Sequence, residues 1–145
     1  MNVTFCGNQH VTEPEKIIKW LNDILPVLIE SGADNFFLGS CGDFDYLAAL
    51  ALKVQKKNYK KIKLILVLGC RNKKFEMSLY DHVVYPPMEQ ENSCMMAVKC
   101  GRLMVDRSDL LVSGVINNDD DSAHILAYAK KMGKTILQYP FYSTE

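Results

Sequence analysis

The chain has 145 residues, with seventeen basic and seventeen acidic side chains, 48% hydrophobic residues and few prolines or glycines. That length fits a single domain, residues 1–145, able to bury a sizeable core. Zero formal charge argues against a dedicated duplex-DNA or anionic-membrane protein, and no apolar run approaches the roughly 18 residues of a membrane span.

Val3 to Cys6 reads as the first strand, and Gly7-Asn8-Gln9-His10 as the loop after it. Thr12 and Glu15 match a capping box with Pro14 in the first turn. Ile17, Leu21, Ile24, Leu25 and Leu28 then share one helical face until Gly32. Pro26 lies inside this pattern and is expected to kink or split the helix near Ile24. Asn35 to Leu38 is the second strand and Phe44 to about Tyr59 the second helix. Lys63 to Leu68 is the clearest strand, unbroken in its apolarity and expected at the centre of the sheet.

A basic loop, Arg71 to Lys74, precedes the weak strand His82 to Tyr85, which Pro86-Pro87 ends. Ser93 is placed as the cap of a helix from Cys94 to about Asp106, with Met95, Val98, Leu103 and Met104 as contacts. Leu110 to Val115 is a strand, Asn117 to Asp121 a polar loop, and Ser122 to Met132 a helix stopped by Gly133. Lys134 to Tyr139 closes the sheet. The alternation predicts an α/β, Rossmann-like three-layer sandwich: five to six mostly parallel strands with helices on both faces. Lys53, Lys56, Lys57, Lys60, Lys61 and Lys63 read as a solvated helix end and the approach to a strand.

Cys6, Cys41, Cys70, Cys94 and Cys100 show no CxxC or histidine pairing and read as reduced thiols of a cytoplasmic protein without a signal peptide. No metal site and no cofactor are expected; His10 is the only histidine in a candidate loop.

The run Phe36-Phe37-Leu38-Gly39-Ser40-Cys41-Gly42-Asp43-Phe44-Asp45 carries the strongest functional signal. A strand ends at a glycine, turns through small residues and enters a helix, which sets backbone N–H groups at the carboxyl edge of a parallel sheet. Gly39 and Gly42 either leave room for a ligand or serve tight packing. Asp45 is placed to accept from a sugar hydroxyl. Phe44 and Tyr46 are candidates to stack on a base, Phe44 equally a core residue.

Further stretches join this turn: Thr4-Phe5-Cys6-Gly7, Tyr80-Asp81, Tyr85-Pro86-Pro87-Met88-Glu89, Arg102 to Asp109 and Tyr128 to Lys134. In this order and spacing the chain resembles the SLOG superfamily, and within it the small YpsA-like branch related to the LOG phosphoribohydrolases and to DprA. The resemblance covers nearly the whole chain. It implies a domain that binds a nucleotide or nucleotide-derived ligand, usually as a homodimer or higher homo-oligomer.

The departures from that pattern are specific. Gly7-Asn8-Gln9 replaces the branch's Gly-His-Arg, Cys100-Gly101-Arg102 replaces Arg-Asn-Arg, and Asp119-Asp120-Asp121-Ser122 replaces a glycine pair before a small hydroxyl residue. The LOG threonine and helical glutamate are missing. The candidate ligand-binding residues are therefore Gly7, Asn8, Gln9, Gly39, Ser40, Cys41, Gly42, Asp43, Phe44, Asp45, Arg102, Gly114 and Ser122.

Arg102 is either a phosphate clamp or a partner of Asp106; Asp119 to Asp121 is a solvated capping turn or a ligand contact. Aspartates crowded near phosphate repel it by roughly 1–4 kcal/mol each, which favours ribose hydroxyls, amines or a cationic base. The expected function is capture of a nucleotide derivative without catalysis, as a sensor or sequestering protein. The alternative is a nucleoside-monophosphate N-glycosidase with Asp45 as acid/base. Neither a membrane nor nucleic acid is an expected partner.

Overall fold

The first apolar run lies inside β1 (Asn2–Gly7), whose four middle residues are buried. A computed structural model of the chain describes residues 1–40, 42–68, 77–86 and 93–140, those at 77 and 93–95 by their backbone only. The basic loop at 71–74 lies outside the described residues.

α1 (Pro14–Glu30) follows, then β2 (Asn35–Leu38), α2 (Asp43–Gln55), β3 (Lys63–Val67), a 3-10 turn at Met77–Leu79 and β4 (His82–Val84). The chain continues through α3 (Ser93–Asp106), β5 (Leu110–Gly114), α4 (Ser122–Lys131) and β6 (Thr135–Gln138). The six strands form one sheet in the order β4-β3-β2-β1-β5-β6, with every neighbouring pair parallel. This is the expected α/β Rossmann-like architecture.

Parallel strands need cover on both faces. α1 and α2 pack against each other over one buried cluster that includes Val3, Phe36, Leu38 and Leu64. α3 and α4 pack over a second cluster that includes Cys6, Leu111, Ile125 and Ala129. Trp20 of α1 meets Tyr139 edge-on at 5.2 Å, tying the end of the last strand to the first helix.

Four local expectations need correction. β3 is not central: β2 and β1 hold the middle, and β3 sits next to the β4 edge. Its unbroken apolarity reflects cover on both faces, not its place in the order. α1 is continuous through Pro26. The proline leaves the Asn22 carbonyl without its helical donor, but Asn22 is exposed to solvent, while buried Leu25 and Leu28 hold the backbone on course. The Thr12–Glu15 capping box does not form. Pro14 occupies the first helical position, so the cap falls on Glu13, which makes no side-chain capping bond. Ser93 is the first residue of α3 and not the residue before it.

Candidate functional site

Strand order reverses between β1 and β5: the chain moves outward from β1 to β4, then crosses back to lay β5 on β1's other side. In open α/β sheets the crevice beyond the carboxyl ends at such a reversal is where ligands bind. Here the two strands end in register at Gly7 and Gly114.

Both glycines are required by Phe44. A Cβ at Gly7 would stand 2.2 Å from Phe44 Cγ, and one at Gly114 equally 2.2 Å from Cε2. The ring is wholly buried, inserted from the first turn of α2 beneath both strand ends. Phe44 therefore belongs to the core and offers no face to a base. The two glycines open space for this ring.

The glycine turn is also more occupied than its sequence suggests. A Cβ on Gly42 (φ +156°) would lie 2.4 Å from Gln9 Cα, and Asp43 N–H donates to the Gln9 carbonyl at 2.8 Å. The room at Gly42 is thus taken by the backbone of the β1 loop. Beside Gly39 lie Asp45 Oδ2, 3.1 Å from an ideal Cβ, and the Met104 methyl at 3.4 Å. Ser40 is half-buried, and Cys41 lies outside the described residues. The Asp43 carboxylate accepts from Val11 N–H at 3.0 Å, with His10 Nδ1 3.7 Å away, and so braces the β1 loop.

Asn8 and Asp120 join that loop to α4. Asn8 Oδ1 accepts from Ile116 N–H at 2.7 Å, and its amide nitrogen faces Asp120 Oδ1 at 3.2 Å and Ser122 Oγ at 3.1 Å. Asp120 accepts from Gln9 N–H at 2.8 Å, Ser122 N–H at 3.0 Å and the Ser122 hydroxyl. Burial works against ionisation of Asp120, but these donors outweigh it and hold the carboxyl below the usual carboxylate range. The carboxylate thus takes donors at the start of α4 that would otherwise face an incoming anion. Asp120 was legible only as one of three aspartates; the Asp-x-Ser spacing before an apolar-periodic helix is the signal for its role.

A small open cleft of about 60 Å³ lies between the end of β1 and helices α3 and α4. Gly7, Gln9, Asp45, Asp120, Asp121 and Ser122 give it a mainly acidic, hydrogen-bond-accepting rim. Phe5, Cys6, Ala97, Gly101 and Ile125 complete the lining. Gly101 allows the two helices to close up, since a Cβ there would stand 2.5 Å from Ile125 Cδ1. Arg102 does not reach this cleft. It is exposed and lies over the Tyr128 ring at 5.3 Å, while the Tyr128 hydroxyl donates to Asp106 at 2.5 Å. Cys6 donates to the Ser122 carbonyl at 3.2 Å, and burial pushes the Cys100 thiol up.

No protein-family profile and no curated protein matches the chain. Solved structures do. DNA processing protein A of Streptococcus pneumoniae aligns with 97% of this chain at a TM-score of 0.71 and 16% identity. The same protein from Helicobacter pylori, described for its single-stranded DNA binding mode, aligns with 100% at 0.65 and 14%. The molybdenum cofactor binding protein of the phototrophic bacterium Rippkaea orientalis aligns with 94%, again at 0.65 and 14%. The fold is Rossmann-like. This chain spans 50% of the S. pneumoniae protein, 67% of the H. pylori protein and 74% of the R. orientalis protein. Among the described residues no helix is long and apolar enough to cross a membrane, and no cluster of metal-ligating side chains is found.

Proposed function

We propose that the chain is a SLOG-type domain of the YpsA-like branch that captures a nucleotide-derived ligand at the β1–β5 reversal, as a sensor or sequestering protein without catalysis. The observation that carries this reading is the acidic rim of the cleft. Asp45, Asp121 and Gln9 offer acceptors to ribose hydroxyls, an amino group or a cationic base, Asp120 holds the rim together through Gln9 and Ser122, and Arg102 lies on the outer surface. Two solved neighbours, one named for cofactor binding and one for single-stranded DNA binding, support ligand binding on this fold.

At about 60 Å³ the cleft holds only part of such a ligand, whose remainder projects beyond the rim. A homodimer or higher homo-oligomer supplies the further walls in this reading. Mass spectrometry of small molecules released by heating the purified protein should yield a nucleoside-containing compound. Calorimetry against adenine nucleotides, ADP-ribose derivatives and cyclic nucleotides should then give saturable binding, weakened about tenfold by Asp45→Asn, the loss of one charge-assisted hydrogen bond. No released compound and no binding by any of these would overturn the reading.

One observation favours a second reading, nucleoside-monophosphate N-glycosidase: Asp45 lines the cleft, where it would act as acid/base. Chromatography after prolonged incubation with nucleoside monophosphates decides between the two, since capture leaves the substrate intact.

A further inference from the structure

The zero net charge conceals a segregation. Residues 53–63, Lys-Val-Gln-Lys-Lys-Asn-Tyr-Lys-Lys-Ile-Lys, carry six lysines and no acid, so the rest of the chain carries a matching acidic excess. These residues span the end of α2, the turn after it and the first residue of β3, at the amino edge of the sheet. The candidate cleft lies at the carboxyl edge, so the two features are separated by the length of the strands.

Two of the six lysines have local structural work. Lys56 pairs with Asp81, which also accepts from Leu64 N–H at 2.9 Å, and Lys53 Nζ donates to the Ser78 carbonyl at 3.2 Å. Both also sit where a helix C-terminus favours cations. Lys57, Lys60, Lys61 and Lys63 are exposed, and none makes an ion pair among the described residues. The acids along this edge are already engaged: Asp34 with the N-terminal ammonium at 3.0 Å, Asp109 with Asn2 N–H at 2.8 Å, Glu30 with the Tyr59 hydroxyl at 2.8 Å.

We propose that Lys57, Lys60, Lys61 and Lys63 form a contact surface for the phosphate backbone of a nucleic-acid strand, without base specificity. Compact ammonium groups on flexible stems suit phosphates as point charges. A protein partner fits less well, because interface cores are depleted in lysine and rich in aromatics, and no aromatic side chain is exposed within this stretch. A membrane surface also fits less well. Peripheral helices set a broad apolar face beside their bases, and here only Val54 is exposed.

Fluorescence anisotropy of a labelled single-stranded oligonucleotide with the intact protein tests the proposal. Four phosphate contacts predict a slope of log affinity against log salt near −3, an about 50-fold loss of affinity between about 50 and 200 mM salt. Replacing all four lysines by alanine should weaken binding at least tenfold and flatten the slope, whereas four arginines should restore it. Lys60→Gln with Lys61→Gln, confined to the turn, repeats the test if the larger variant does not fold, and should halve the slope. Circular dichroism checks that each variant is folded. The proposal fails if the wild type does not bind at low salt, or if the variants bind as tightly. It fails equally if anionic vesicles or a polyglutamate peptide of the same charge bind more tightly than the oligonucleotide.

Discussion

Asn8 is 3% exposed, and its amide nitrogen stands within 3.1–3.2 Å of four acceptors, twice the number that its two N–H groups can serve at once. Its oxygen meanwhile holds the Ile116 and Asn117 N–H groups, so one side chain fixes the path of the β5–α4 loop. Asn8→Ala should cost about 2–3 kcal/mol in urea unfolding, because it strands partly buried donors and acceptors. Asn8→Asp should cost more, since it sets a second carboxylate against Asp120. Asp120 itself predicts a pH dependence. Its folded pKa is depressed, so the stability it contributes is complete above its unfolded value and is lost as pH falls below about 4 through the folded value. The stability difference between wild type and Asp120→Asn should therefore be constant near neutrality and shrink in acid.

At the scale of elements, the junction of β1, β5 and α2 turns on one ring. Gly7→Ala or Gly114→Ala forces a methyl into Phe44 and should cost about 2 kcal/mol or more each, by overpacking. Either change combined with Phe44→Leu should cost less than the sum of the two alone, a coupling measurable by a double-mutant cycle. Within α1, Pro26→Ala restores a helical N–H and should stabilise the protein by about 1 kcal/mol, read as a raised urea midpoint. These elements were legible because their patterns are local: strands as apolar runs, α1 by its repeat from Ile17 to Leu28, and ends at Gly32 and Gly133, whose φ values are +113° and +72°. Gly7, Gly42 and Gly114 were legible as special but not in purpose. Nothing along the sequence says that Phe44 lies against the first and last of these, or that Gln9 lies against the second.

Across the whole molecule, the register of distant strands decides what the cleft can be. The sheet grows outward from β1 to β4 and then returns to lay β5 on β1's other side, and only that return sets Gly7 beside Gly114. Gln9 comes from the loop after β1, Asp45 from the first turn of α2, and Asp120 and Asp121 from the turn before α4, which is why sequence separates them and the fold unites them. Arg102 illustrates the converse. Its place in α3 was legible, but its stacking on Tyr128 depends on how α3 and α4 pack, set by Gly101 against Ile125. Gly101→Ala should loosen that pairing, and Ile125→Ala should relieve it at the cost of a cavity, with the double variant more stable than the additive expectation in thermal unfolding.

Among the described residues, Asp43, Asp45, Asp119, Asp120 and Asp121 stand at the carboxyl edge and the lysines between 53 and 63 at the opposite edge, so these two groups of charges define an electrical axis along the strands. A large negatively charged body approaching through dilute buffer would turn the protein before touching it and meet it lysine end first. The cleft would then point away toward open solvent, still reachable by a diffusing small molecule. Raising ionic strength abolishes this torque, so any cross-talk between the two ends should persist only in dilute salt.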